Sequence, residues 1–213
     1  MKKVTIVDTT LRDGSHAVSH AITPELAAGV ARDVSEAGCR YLEIAHGDGL
    51  GGSSFQYGKS LHDEMTLIRA AVDNASDALQ IGSLLIPGVG TVEDLERAID
   101  TGISFVRVAT HVTEADVGAQ HIRYAKRKGL FAVGFLMMTH MRQPEEIYEQ
   151  AKLFADYGAD VIYCADSAGA MLPEQAAERM AYLSTHLQIP VGFHAHNNLG
   201  LAVANSMAAV NAG

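Results

Sequence analysis

The chain repeats one pattern seven times: a short, nearly continuous apolar run, a polar turn, then an amphipathic segment that stops at a glycine or a polar turn. The apolar runs are Val4–Val7, Tyr41–Ala45, Ile81–Ile86, Phe105–Ala109, Leu130–Met138, Val161–Ala165 and Val191–Ala195. Apolar runs that do not alternate with polar residues describe strands buried on both faces, as a parallel sheet covered by helices requires. The intervening segments carry helix starts. Thr23-Pro24-Glu25 sets a capping hydroxyl before a proline at the first helical position, and a helix is expected from Pro24 to about Ala37. Thr91-Val92-Glu93-Asp94 and Thr113-Glu114-Ala115-Asp116 place acids in a first turn, where the helix dipole favours them. Pro144 and Pro173, each followed by Glu, read the same way. Gly38, Gly102, Gly129 and Gly158 precede strands as left-handed helix stops.

Seven strands alternating with helices predict an α/β fold, a (β/α)8 TIM barrel truncated after about seven strands. Residues 1–213 are expected to be one barrel domain, incomplete because the eighth strand and a C-terminal helical region are absent. A doubly wound open sheet is the competing architecture. It would carry a glycine-rich phosphate loop after the first strand, and the segment there is Thr9-Thr10-Leu11-Arg12-Asp13-Gly14. The glycine-rich stretch from Gly47 to Ser54 is expected to be a mobile loop over the site.

Bulk properties exclude several classes of partner. A net charge of −9 argues against nucleic acid, which needs clustered Lys and Arg. No apolar stretch approaches the roughly 20 residues of a membrane span, and the run after Lys2 and Lys3 is too short for a signal peptide. Cys39 and Cys164 lie in apolar runs with no metal spacing and no disulfide framework, so a reducing cytoplasm is the expected setting.

In a barrel, chemistry collects at the C-terminal strand ends. After the first run come Asp8, Arg12, Asp13 and His16 within nine residues. The seventh run ends Phe193-His194-Ala195-His196-Asn197-Asn198. In a strand, residues i and i+2 point to the same side, so both imidazoles project together. Two imidazoles with a carboxylate such as Asp13 suit a catalytic divalent metal (Mn, Fe, Co or Zn), and the lack of thiolates argues against a structural zinc. Asp166-Ser167-Ala168-Gly169 is either a helix-initiating turn or a donor loop for a substrate carboxylate, and His46 is equally open. Leu84, Leu85 and Ile86 are core or the wall of an aliphatic pocket, Met137 and Met138 core filling, and His20, His62, His111, His121, His140 and His186 have no assigned role.

Asp8-Thr9-Thr10-Leu11-Arg12-Asp13-Gly14 with the later His194-x-His196 resembles the DRE-TIM metallolyase superfamily. Its Claisen-type synthases usually carry Gln two residues after Arg-Asp-Gly, where this chain has His16. Leu11–Ala17, Ala165–Met171 and Gly192–Leu199 resemble the 4-hydroxy-2-oxovalerate aldolases of aromatic and steroid catabolism, and the likeness runs along the whole chain. The resemblance implies that Asp13, His194 and His196 hold a divalent metal, usually manganese. It also implies that His16 is the base, that Arg12 stabilises enolate charge, and that Ser167 helps hold the substrate together with Arg12, Asp13 and His194. The implied reaction is cleavage of a 4-hydroxy-2-oxo acid to pyruvate and an aldehyde, with an acylating acetaldehyde dehydrogenase as partner. The family's acid, a Tyr of the C-terminal region, has no match in this chain. No Lys stands at a strand end, which argues against Schiff-base chemistry. The alternatives are a Claisen-type synthase or acyl-CoA lyase of the same superfamily, or a non-catalytic truncated fragment.

Overall fold

A computed structural model describes residues 4–213. Its strands are β1 (Val7–Leu11), β2 (Tyr41–Ile44), β3 (Gln80–Leu85), β4 (Phe105–His111), β5 (Phe131–Met137), β6 (Val161–Asp166) and β7 (Val191–Ala195). Its helices are α1 (Pro24–Glu36), α2 (Glu64–Val72), α3 (Val92–Thr101), α4 (Ala119–Arg127), α5 (Pro144–Tyr157), α6 (Pro173–His186) and α7 (Ala202–Ala212). Sheet order follows chain order among the described residues. The chain divides into two compact units, Thr5–Arg107 and Val108–Gly213, with the division inside β4.

In the first unit β1, β2 and β3 pair in parallel, with Val7 opposite Tyr41 and Leu42 opposite Ile81. Leu42, Ile44, Leu85 and Phe105 are buried completely or nearly so. In the second, β5, β6 and β7 pair in parallel, with Cys164 between Leu136 and Phe193. Phe154 of α5 fills the space above Gly134, where a Cβ would fall 2.5 Å from the ring. No helix of the described residues is long and apolar enough to cross a membrane.

The expected helix signals operate as capping devices. Thr23 Oγ1 accepts the Leu26 N–H at 3.2 Å, with Pro24 at the first helical position. At α3, Thr91 Oγ1 accepts the Asp94 N–H while Asp94 accepts the Thr91 N–H at 3.0 Å, a reciprocal capping box. The four expected glycine stops all have positive φ, from +75° at Gly38 to +118° at Gly102.

Three local expectations differ from the structure. The first strand is Val7–Leu11 rather than Val4–Val7. Val4 and Ile6 are exposed, and ladder pairing to β2 begins at Val7, so Asp8, Thr9 and Thr10 belong to the strand itself. Thr113 does not cap a helix. Its hydroxyl binds His111 Nδ1 at 2.7 Å, and a short 3₁₀ turn, Ala115–Gly118, precedes α4. Met137 and Met138 are only half-buried, and Met138 has φ +61°, because the chain leaves β5 there.

Thr91→Ala removes one side of the α3 capping box. Chemical denaturation of this variant is expected to show a loss of about 1 kcal/mol.

Candidate active site

The first unit contributes the sequel to β1. Arg12 follows the strand directly and precedes a 3₁₀ turn, Asp13–Val18, that carries Asp13 and His16. Asp13 is half-buried and lies 3.3 Å from Arg12 Nη1. Arg12 itself is buried. Its Nε donates to Glu43 Oε2 at 2.7 Å, and its Nη1 donates to the Gly47 carbonyl at 3.2 Å. Glu43 is fully buried in β2 and takes a second guanidinium, Arg107 of β4, which donates through Nε at 2.6 Å and through Nη2. Burial alone pushes this carboxyl up. The charges and hydrogen bonds of Arg107 and Arg12 outweigh it and hold the group down at about 2. One buried carboxylate between two guanidiniums holds Arg12 rigidly at its edge, beside Asp13.

Around His16 lie two further imidazoles. His20 stacks on His46 with ring centroids 3.7 Å apart, and His16 meets His20 edge-on at 5.1 Å. The Ser15 hydroxyl and His20 Nδ1 share a hydrogen bond of 3.1 Å, and His46 Nδ1 accepts the Asp48 N–H at 3.1 Å. Desolvation and neighbouring imidazoles lower the pKa of both His20 and His46, which keeps them neutral. His16, by contrast, is exposed. The expected mobile glycine-rich loop is, in its first half, packed and pinned. Leu50 is fully buried and its N–H reaches Leu84 O at 2.8 Å. Glu64 at the start of α2 accepts the N–H groups of His46 and Gly51. Burial raises the pKa of that carboxyl. Leu84 and Leu85 are core and Ile86 is half-buried.

The second unit contributes the ends of β6 and β7. The His194 and His196 Nε2 atoms stand 3.3 Å apart, with ring planes near perpendicular. The i, i+2 spacing therefore brings the two imidazoles together, as expected. His196 Nδ1 bonds the Ser167 carbonyl at 2.8 Å. A carbonyl only accepts, so Nδ1 carries the hydrogen and Nε2 keeps its lone pair, facing His194 Nε2. Two nitrogens each about 2.1 Å from one cation stand roughly 3 to 3.4 Å apart, so this donor pair suits a divalent metal. Asp166 builds the loop that presents the carbonyl. Its buried carboxylate accepts the Ala170 and Met171 N–H groups at 3.0 and 2.9 Å, and its carbonyl accepts the Gly169 N–H. Gly169 has φ +59°, and a Cβ there would fall 2.8 Å from His196 O. The Ser167 hydroxyl accepts the Met138 N–H at 2.9 Å, which holds Met138 in its left-handed conformation.

Reading the sequence missed Glu43 and Arg107, and the signal was present. Each is a charge inside an apolar strand run, and a buried charge requires a partner. It also missed the stack of His20 on His46.

Parallel strands alternating with helices, with polar chemistry after β1, β6 and β7, define a domain of the (β/α)8-barrel class. Comparison with known proteins agrees. Residues 3–213 match the HMGL-like family model, and the chain belongs to the HMGL-like family. It is 56% identical over 215 residues to the 4-hydroxy-2-oxovalerate aldolase of Moorella thermoacetica, and 53% identical over 210 residues to that of Geobacillus genomosp. 3. These alignments take in 100% and 99% of this chain and 62% of each relative, so the chain spans less than two thirds of their length. Among solved structures it is similar in fold to the carboxyl transferase domain of Rhizobium etli pyruvate carboxylase with 3-bromopyruvate. The TM-score is 0.86 at 21% identity, over 100% of this chain and 39% of that one. An N-terminal domain from Bacteroides vulgatus gives 0.81 at 22% identity, over 99% of this chain and 70% of that one.

The depressed pKa of Glu43 stabilises the folded state fully above its ordinary value of 4.5, and that contribution is lost as pH falls towards about 2. Glu43→Gln is therefore expected to cost about 3 kcal/mol at pH 7. Denaturant unfolding of both proteins across pH should show the difference narrowing below pH 4.5.

Proposed function

We propose that this chain is the barrel portion of a divalent-metal-dependent pyruvate aldolase, with residues 1–213 forming one catalytic domain. The substrate is 4-hydroxy-2-oxopentanoate or a homologue, and the products are pyruvate and acetaldehyde or a longer aldehyde. The observation that carries the reading is the imidazole pair of His194 and His196, oriented by the Ser167 carbonyl, in a chain of this family. Aldolase names on relatives more than half identical to it support the substrate class.

In this reading Asp13, His194 and His196 would hold the cation; their N and O donors suit Mn, Fe, Co or Zn, and the resemblance to the 4-hydroxy-2-oxovalerate aldolases favours Mn2+. When bound, the cation supplies Lewis acidity at the 2-oxo and carboxylate oxygens of the substrate. Arg12 faces the same oxygen with a charge that cannot be lost, and its tethers to Glu43 and the Gly47 carbonyl fix its direction before substrate arrives. His16 takes the proton of the C4 hydroxyl. The C3–C4 bond then breaks, its electron pair passes to the 2-oxo oxygen as enolate, and the C4 carbon leaves as the aldehyde. Ser167 holds the substrate carboxylate: its oxygen accepts from Met138 N–H, and its own O–H remains a donor. A volatile, reactive aldehyde favours an acylating acetaldehyde dehydrogenase as partner, and the setting is cytoplasmic catabolism of aromatic or steroid compounds.

The test is pyruvate and aldehyde release from 4-hydroxy-2-oxo acids, with Mn2+ supplied. Chelation and His16→Ala are each expected to abolish most turnover, the latter by about 10²–10⁴-fold. Arg12→Ala should cost about 10²–10³-fold. A protein that is inactive on these acids but turns over acyl-CoA thioesters would overturn the proposal.

A further inference from the structure

Gly47 touches both of the groups that act on the substrate in the function proposed above. Its carbonyl oxygen accepts from Arg12 Nη1 at 3.2 Å. Its α-carbon faces the His16 ring so closely that a Cβ at residue 47 would fall 2.4 Å from Nε2, 2.5 Å from Cε1 and 2.7 Å from Cδ2. One residue of the β2 loop therefore sets the direction of the buried guanidinium and forms the floor on which the exposed imidazole lies. The adjoining backbone cannot drift. The N–H of His46 is tied to Glu64, the N–H of Asp48 to His46 Nδ1, and Arg12 is tied independently to Glu43.

We propose that Gly47 is a positioning residue that registers His16 against Arg12, and that the missing side chain is what the site requires there. This rests on His16 and Arg12 having the roles assigned above. The alternative explanation of a glycine, backbone conformation, does not apply, because Gly47 is not among the positive-φ glycines of the chain. Nor would the fold need to move to admit a methyl group. The three atoms nearest the added carbon all belong to His16, the far end of an exposed side chain that can swing into solvent. The energetic consequence is separated from stability. Gly47→Ala displaces the base and spares the core.

The experiment compares the full chain, its Gly47→Ala variant, His16→Ala and the double variant, with Mn2+ supplied. Expected for Gly47→Ala are an unchanged cooperative melt, a KM within about twofold of wild type and a kcat lowered by 10-fold or more, since a misplacement of about 1 Å is enough to cost on that scale. The His16 ring resonances should shift, with those of His20 and His46 moving less. In the His16→Ala background the same methyl group should cost almost nothing, because its target is gone. Equal losses in both backgrounds, or a wild-type kcat in Gly47→Ala, would overturn the inference. Wild-type protein inactive on every 4-hydroxy-2-oxo acid would instead overturn the functional reading beneath it. If the melt of Gly47→Ala falls, Gly47→Ser with its ring resonances decides: a ring left in place sinks the proposal, a displaced one supports it.

Discussion

A carboxylate sealed inside a strand layer is expensive to keep ionised, and Glu43 is kept ionised by two guanidiniums that arrive from different strands. The geometry around Arg12 depends on this arrangement. Were Glu43 neutral, Arg12 and Arg107 would be two like charges buried together without the carboxylate they share. With Glu43 ionised, each guanidinium has a fixed partner. An arginine held this way costs little reorganisation when negative charge develops beside it, which is the physical basis of preorganised stabilisation.

The histidine pair reaches its geometry by a different route. Strand periodicity puts His194 and His196 on one side, but periodicity alone leaves each ring free to rotate and to choose its tautomer. The turn after β6 removes that freedom. Asp166 spends its carboxylate on two backbone N–H groups, so the loop closes with the Ser167 carbonyl facing His196. Gly169 lets the next stretch of chain approach without a side chain in the way. Asp166 is thus a structural acid, and its neighbour's backbone oxygen does the orienting.

The glycine-rich stretch after β2 shows why composition misleads about motion. The five glycines between β2 and α2 would, read as composition, suggest a flexible cover. Here the segment from His46 to Gly52 is held by turns of its own, by Leu84 O and by Glu64, and its one large apolar residue, Leu50, is core. Glycine serves proximity in this segment: at Gly47 and Gly52 an added Cβ would meet the rings of His16 and His46. The exposed part is the tip around Phe55, which is 99% exposed.

The order of residues by itself determined the alternation of strands and helices, their caps and stops, the pairing of His194 with His196, and the grouping of Arg12, Asp13 and His16 after the first strand. All of these are encoded between near neighbours, where a two-residue or 3.6-residue period and the local chemistry of Thr, Pro and Gly are decisive. Where β1 begins was less legible, because Val4 and Ile6 have the residue types of a strand and only the ladder to β2 selects Val7–Leu11. Tertiary structure alone decided that Glu43 meets Arg107 across 64 positions, that His20 lies on His46, and that Gly47 supports both Arg12 and His16. Those contacts join residues far apart in the chain, and nothing local to any one of them names its partner. The sequence could say that a buried charge needs one, and packing chose which.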